Sequence, residues 1–314
     1  MATTEMAWTF QSVAVVGSGA IGLYYGGRLA AAGNDVRFLL RSDYEDLMNN
    51  GLTVESIDGD FHVADLQGFR SPEEIGPVDL VIVAWKTTAN DQFGAVLPAL
   101  LHDNTQVLTL QNGLGNCETI ARHVPPGNIL GGLCFVCCNR IGHGVVRHSA
   151  GGKIAIGEFG DGLPSRATAI AKRFGRAGIP AEAVENLERA QWEKLVWNIP
   201  FNGLSVAEGG KTTDVLLSDP ATNREIRGLM HEVITAARAQ GLPLEESLVE
   251  ININRTGPMD AYRTSSMIDF VEGREVEVGP IWEEPLRRAK AAGAETPRLA
   301  RLVERIHARI AERG

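Results

Sequence analysis

SVAVVGSGAIG, residues 12–22, decides the fold. Its first half, Ser12–Val16, is a short apolar, β-branched run of the kind that a strand buried on both faces requires. The run passes without a spacer into Gly17-Ser18-Gly19-Ala20-Ile21-Gly22, and Leu23–Ala32 then reads as a helix ending at Gly33. A G-x-G-x-x-G pattern alone is weak, because glycine-rich turns are common. Between a strand and a helix, at the head of a βαβ unit, it has the context of a dinucleotide-binding turn. Gly17 allows the tight turn, Gly19 lets the backbone approach a pyrophosphate, and Gly22 lets helix and strand pack closely. The amides at the helix start then bind the phosphates, helped by the helix dipole.

Further strands follow at Val36–Leu40, Val78–Trp85, Gln106–Leu110 and Ile129–Cys138, with helix-like or polar stretches between most of them. That alternation predicts an α/β fold, a Rossmann-type doubly wound parallel sheet. Gly144–Glu158 alternates more and is punctuated by glycine, so it reads as antiparallel strands extending the sheet. Near residue 186 the character changes. Glu188–Val206, Asn223–Gln240 and Pro285–Ala292 carry helical spacing. Thr296-Pro297 supplies an N-cap and a first-turn proline for a closing helix with an apolar stripe of Leu299, Leu302, Val303, Ile306 and Ile310. The expected division is a nucleotide-binding domain over 1–186 and a mostly α-helical domain over 187–314.

Composition excludes several classes of function. With 314 residues, 44% hydrophobic and 22% charged, the chain can bury a core, so disorder and disulfide-stapled mini-domains are ruled out. A net charge of −9 argues against nonspecific binding to nucleic acid or anionic membranes. No apolar run approaches the roughly 20 residues that a membrane-spanning helix needs. The opening MATTEMAWTF carries Glu5 where a secretory signal has positive charge. Four cysteines fit a reducing compartment, and the expectation is a cytoplasmic protein.

The end of the second strand bears on the choice between NAD and NADP. An NAD site usually places Asp or Glu there, about 20 residues on, to hold the ribose 2′-hydroxyl. Here Arg41 stands nineteen residues after Gly22, and a guanidinium suits a 2′-phosphate. Asp43 and Glu45 lie close by. Lys86 and Gln111-Asn112-Gly113 follow two later strands, at the carboxyl ends where open α/β sheets bind ligands. Lys86 could add to a phosphate site and Asn112 could meet substrate or cofactor; Asn-Gly is equally a standard turn dipeptide.

In the helical part, Lys194, Asn198 and Asn202 of WEKLVWNIPFN (192–202) are spaced by four. At about 100° per residue they stay within an arc of roughly 80°, so one face presents an ammonium and two amides. Reducing a carbonyl by hydride leaves a developing alkoxide, which a positioned lysine can protonate. Pro200 should kink this helix. A solvated polar face would present the same spacing.

With these marks the chain resembles the ketopantoate reductase (2-dehydropantoate 2-reductase) family over nearly its whole length. The likeness rests on GSGAIG at 17–22, Arg41, Lys86, QNG at 111–113, WEKLVWNIPFN at 192–202, SSM at 265–267, GREVE at 273–277 and ETPRL at 295–299. The resemblance implies a Rossmann domain with a helical C-terminal domain, and reduction of 2-dehydropantoate to pantoate with NADPH on the route to coenzyme A. It makes Lys194 and Glu277 catalytic. It makes Asn112, Asn198, Asn202 and one of two serines, taken as Ser266, substrate contacts, with Lys194 touching substrate as well. It places Gly17 to Gly22, Arg41, Lys86 and Asn112 on NADP(H). After Glu277 the chain reads Val-Gly-Pro280, where the family often has Ile-Asp or Val-Glu, and the stretch from Ser266 to Glu277 is one residue shorter. Both departures fall at the substrate end.

Cys134-x-x-Cys137 suggests redox or metal chemistry at first sight, but strand residues three apart point to opposite faces. The seven histidines form no metal-binding spacing, and no metal is expected. His143 and His148 flank a glycine-rich hairpin and read as structural. The partner is a small 2-keto acid, with no nucleic acid and no membrane, and a homodimer stays open as the assembly. Two rival readings stand beside the reductase: a paralogue acting on another 2-keto acid, and a non-catalytic NADP-sensing protein.

Overall fold

Buried apolar runs set the order of the sheet in the computed structural model of the chain, which describes residues 9–160 and 164–313. The reading of the N-terminal stretch as lacking a secretory signal rests mainly on residues 1–8, outside the described residues. The chain separates into two compact units, residues 1–111 with 116–187, and residues 112–115 with 188–314.

Among the described residues the first unit holds ten strands: β1 (Ser12–Val16), β2 (Asp35–Leu39), β3 (Leu52–Ser56), β4 (Phe61–Val63), β5 (Gln67–Phe69), β6 (Leu80–Val83), β7 (Gln106–Thr109), β8 (Ile129–Gly142), β9 (Val145–Glu158) and β10 (Ala181–Ala183). The described residues also form six α-helices there: α1 (Ala20–Ala31), α2 (Tyr44–Asn50), α3 (Pro72–Ile75), α4 (Phe93–Leu100), α5 (Asn116–Ile120) and α6 (Pro164–Arg176). The strands lie in the order β4-β3-β9-β8-β7-β6-β1-β2-β5, with β10 also on β9. β6 and β7 are buried at every position, as expected of parallel strands covered on both faces.

Register then places the functional ends. Val16 pairs with Leu39 on one side and Val83 on the other, and Val83 pairs with Thr109, all in parallel. Four strands therefore finish level. Gly17, Leu40, Ala84 and Leu110 leave the sheet side by side, and β1 sits between β2 and β6, where the strand order reverses. Such a switch point is where open α/β sheets bind ligands.

Several elements differ from the sequence reading. α1 starts three residues earlier than Leu23, because the glycine turn is shorter than the motif. The sequence pattern does not predict β3, β4, β5 or β10; three-to-five-residue strands with mixed burial carry too little periodicity. Residues 144–158 were expected to form antiparallel strands. They form one strand, β9, which is antiparallel to β8 but parallel to β3 and β10. Its burial alternates near Val145–His148 and becomes continuous over Ile154–Gly157, which explains the mixed pattern.

The second unit is helical: α7 (Leu187–Ala207), α8 (Thr213–Ser218), α9 (Pro220–Ala239), α10 (Leu248–Thr256), α11 (Ser265–Val271), α12 (Glu284–Ala291) and α13 (Pro297–Arg313). α7 is its axis. Trp192, Leu195, Val196, Ile199, Phe201 and Leu204 are all buried, in one core with Ile226, Leu229 and Val233 of α9 and Leu299, Leu302 and Ile306 of α13. A helix apolar around most of its circumference must be covered on most sides. Pro200 lies inside a helix that continues through it, and the Trp282 indole donates to the Ile199 carbonyl at 2.9 Å. Packing on both sides of the proline holds the helix together there.

Candidate active site

The glycine turn is shaped by what lies against it. Gly17 has φ +110°, and a Cβ there would stand 2.2 Å from the Trp85 backbone nitrogen. A Cβ on Gly22 would stand 2.0 Å from the Gly17 carbonyl oxygen. Both glycines are thus required by the fold itself. Gly19 differs: its φ is −76° and a Cβ would meet nothing within 4 Å. The open space lies at the N-cap of α1, where no side chain caps the helix and no acidic residue occupies the first turn. Uncapped amides beside open space suit an anionic group. These residues fit a dinucleotide pyrophosphate.

Arg41 leaves the sheet one residue beyond Leu40 and is exposed. Its guanidinium donates to the Gln92 side-chain oxygen, a neutral partner. The neighbouring acids are engaged elsewhere. Asp43 is fully buried and receives Arg140 at 2.6 Å and the Ser42 hydroxyl at 2.9 Å. Glu45 pairs with Arg70. Lys86 follows Trp85 beyond β6 and its Nζ is buried. Between the ends of β6 and β7 runs an amide network that sequence reasoning missed. Gln111 donates to the Asn90 side chain at 2.7 Å and the Trp85 carbonyl at 3.2 Å, while the Trp85 indole donates to Asn90 at 3.1 Å. The sequence places Gln111 at a ligand-binding strand end within Gln-Asn-Gly but gives its side chain no role, and Gln92 and Asn90 carry no sequence signal.

In the helical unit, Lys194 Nζ donates to Asn112 Oδ1 at 2.8 Å. Asn112 is held by its neighbours. Gly113 has φ +84° and sits where a Cβ would be 2.2 Å from the Pro280 oxygen, and Leu114 N donates to that oxygen at 2.9 Å. The Asn-Gly dipeptide therefore forms a turn, and the Asn112 side chain it presents accepts from Lys194. Asn198, one helical turn beyond Lys194, is buried. Asn202, also buried, is already in use: its Oδ1 accepts from the Ser265 hydroxyl at 3.3 Å and the Ser266 amide at 3.2 Å. Asn202 thus joins α7 to the first turn of α11, which Thr264 caps. Of the two serines, Ser265 offers its hydroxyl to this joint, and Ser266 is buried.

Glu277 is half-buried and Glu275 exposed, so the chain turns the former toward the interior. The docking of Pro280 on Gly113 fastens the segment just after Glu277 beside Asn112. That contact gives the departure Val278-Gly279-Pro280 a structural purpose that sequence alone did not reveal.

The cysteines are all free, and burial pushes the Cys138 thiol well above its ordinary range. Buried thiols of this kind are inert. Among the described residues no group of three or more His, Cys, Asp or Glu could hold a metal ion, and no helix is long and apolar enough to cross a membrane. His148 is buried, within 2.9 Å of the Ser56 hydroxyl, and His143 is exposed beside Asp43 and Asp46.

A dinucleotide turn at the switch point of a Rossmann-type sheet, in a chain whose helical unit holds a lysine–asparagine pair, defines a nicotinamide-dependent oxidoreductase. The family described as "Ketopantoate reductase PanE/ApbA" matches residues 13–161, and its C-terminal counterpart matches residues 186–310. The chain belongs to the ketopantoate reductase family. It is 41% identical over 291 residues to a 2-dehydropantoate 2-reductase of Nostoc sp., covering 91% of each chain. The crystal structure of a 2-dehydropantoate 2-reductase from Geobacter metallireducens superposes with a TM-score of 0.91 at 42% identity, covering 95% of this chain and 99% of that one. A D-mandelate dehydrogenase solved with NADH and anilino(oxo)acetate shares the fold, with a TM-score of 0.88 at 22% identity over 96% of this chain and 99% of that one.

Proposed function

We propose that this chain reduces 2-dehydropantoate to pantoate with NADPH, in the cytoplasm, on the route to coenzyme A. The observation that carries the reading is the 2.8 Å hydrogen bond from Lys194 to Asn112, on a helix face that next presents the buried amide of Asn198. Residues 1–186 are assigned to NADP(H) and residues 187–314 to substrate and proton transfer.

Gly17 to Gly22 and the start of α1 would hold the pyrophosphate, and Arg41 with Lys86 the 2′-phosphate. When bound, the reduced nicotinamide supplies a hydride to the 2-keto carbon. As the carbonyl oxygen gains charge, Lys194 Nζ gives it a proton, completing the alcohol, and regains one from solvent. Asn112 orients the ammonium by accepting one of its hydrogens, so the remaining hydrogens point along fixed directions. Asn198 offers an amide with both donor and acceptor capacity to the polar atoms of the 2-keto acid. Asn202 contributes through its bond to Ser265 and Ser266, which sets the start of α11. Glu277 supplies a carboxylate beside the segment that holds Asn112.

A paralogue acting on another 2-keto acid is favoured by one observation, the altered segment after Glu277 with Pro280 docked on Gly113. Oxidation of NADPH by the purified protein, followed with 2-dehydropantoate and a panel of other 2-keto acids, separates the readings. The proposal expects the highest kcat/KM for 2-dehydropantoate and formation of pantoate. A higher value for another acid establishes the paralogue, and binding of NADPH without turnover on any acid establishes a sensor.

A further inference from the structure

Residues 41–46, RSDYED, carry one cation and three acids at the place where a 2′-phosphate would be read. Three carboxylates beside a phosphate should favour NADH. The structure removes them one by one. Glu45 pairs with Arg70, whose guanidinium also lies 3.9 Å from the Tyr44 ring centre. Asp46 faces His143 at 3.3 Å and is half exposed, where solvent screens it. Asp43 is the acute case, only two residues from Arg41 and with no exposure to solvent. Its charge is met by Arg140, 97 residues away near the end of β8, at 2.6 Å, and by the Ser42 hydroxyl at 2.9 Å. The turn is closed by Tyr44 N donating to the Arg41 carbonyl at 3.3 Å.

We propose that Arg140 is a specificity-determining positioning residue: by neutralising the buried Asp43 carboxylate it leaves the Arg41 turn net positive and so permits preference for a 2′-phosphorylated dinucleotide. The inference rests on the reading of Arg41 as the phosphate contact and adds what makes that contact effective. A buried carboxylate is poorly screened, so its field at a phosphate a few ångströms away is not weakened as a surface acid's would be. Neutralisation from a distant strand gives the sheet extension β8–β9 a part in cofactor choice.

The test measures dissociation constants for NADPH and NADH at one ionic strength in the wild type, Arg140→Gln, Asp43→Asn, the double variant and Arg41→Ala. Arg140→Gln is expected to weaken NADPH about tenfold and NADH less than twofold. Asp43→Asn removes the acid together with the need for its partner, so it should keep or raise the NADPH preference. The double variant should recover NADPH affinity to within about threefold of wild type. Equal losses of both cofactors in Arg140→Gln, a double variant no better than Arg140→Gln, or a lost preference in Asp43→Asn would each overturn the proposal. Should Arg140→Gln not fold, the isosteric Asp43→Asn still decides. Arg41→Ala separates the two levels. If it weakens both cofactors alike, the reading of Arg41 itself fails; if it discriminates while the Arg140 and Asp43 variants do not, only the present inference falls.

Discussion

The glycine turn at 17–22 and the α7 face at 194–202 are built in opposite ways. The turn is written in the backbone: two of its three glycines are forced by contacts of 2.2 and 2.0 Å, and the third leaves space. The helix face is written in side chains whose meaning depends on distant partners, Asn112 for Lys194 and the serines of α11 for Asn202. A backbone site tolerates almost no change but can be read locally. A side-chain site tolerates change in its fold and fails in its chemistry.

The largest effect should therefore fall on turnover. Lys194→Ala is expected to lower kcat by about a hundredfold or more, as for loss of a general acid, in steady-state reduction of 2-dehydropantoate. The Arg41→Ala variant should lose roughly ten- to a hundredfold in NADPH affinity, since a charge-assisted hydrogen bond contributes about 1.5–3 kcal/mol. Arg41→Lys should fall between, keeping charge but losing the fork, while NADH binding barely moves in either. Glu277→Gln should reduce kcat/KM by about tenfold with thermal stability unchanged. Its control, Glu275→Gln, should be silent because Glu275 is exposed; the reverse pattern would reassign the role to Glu275.

Stability sharpens the contrast within the turn. Gly22→Ala should lower stability by about 1–3 kcal/mol, as overpacking does, visible as a lower Tm. Gly19→Ala, with open space and a permissive φ, should shift Tm far less and yet weaken cofactor binding. Equal Tm losses in the two would mean that the turn is purely structural. The smallest effect belongs to Asp79, at the other end of the same strands. Burial raises its pKa, but hydrogen bonds from Gln11 and Ser12, with His102, outweigh it and hold the carboxyl below the ordinary carboxylate range. A lowered folded pKa stabilises above the unfolded value, and that stability fades as pH falls through the folded one. Wild type should thus lose stability faster in acid than Asp79→Asn, with parallel curves near neutrality.

Why one site could be read and the other could not follows from the same contrast. The strand–glycine–helix sequence at 12–33 fixes its own conformation, so β1, the turn and α1 were legible to within three residues. The positions of Arg41 and Lys86, just beyond strand ends, were legible because register brings parallel strand ends level. By contrast, spacing by four put Lys194, Asn198 and Asn202 on one face, yet a solvated face would look the same; the family resemblance gave them meaning. Gln92 and Asn90 carried no signal at all, and Pro280 stood out only as a departure from the family pattern, because an amide or a proline acquires its role only when the fold delivers its partner. The short strands β4, β5 and β10 escaped for want of length.

The division of labour between the two regions is tested most directly by measuring NADPH dissociation constants and single-turnover hydride transfer at saturating NADPH, side by side in Lys194→Ala and Arg41→Ala. A crossed pattern is predicted: Lys194→Ala binds NADPH within about threefold of wild type but transfers hydride about a hundredfold or more slowly, whereas Arg41→Ala binds ten- to a hundredfold more weakly but transfers at nearly the wild-type rate. Parallel losses of binding and transfer in both variants, or near-normal transfer in Lys194→Ala, would contradict it.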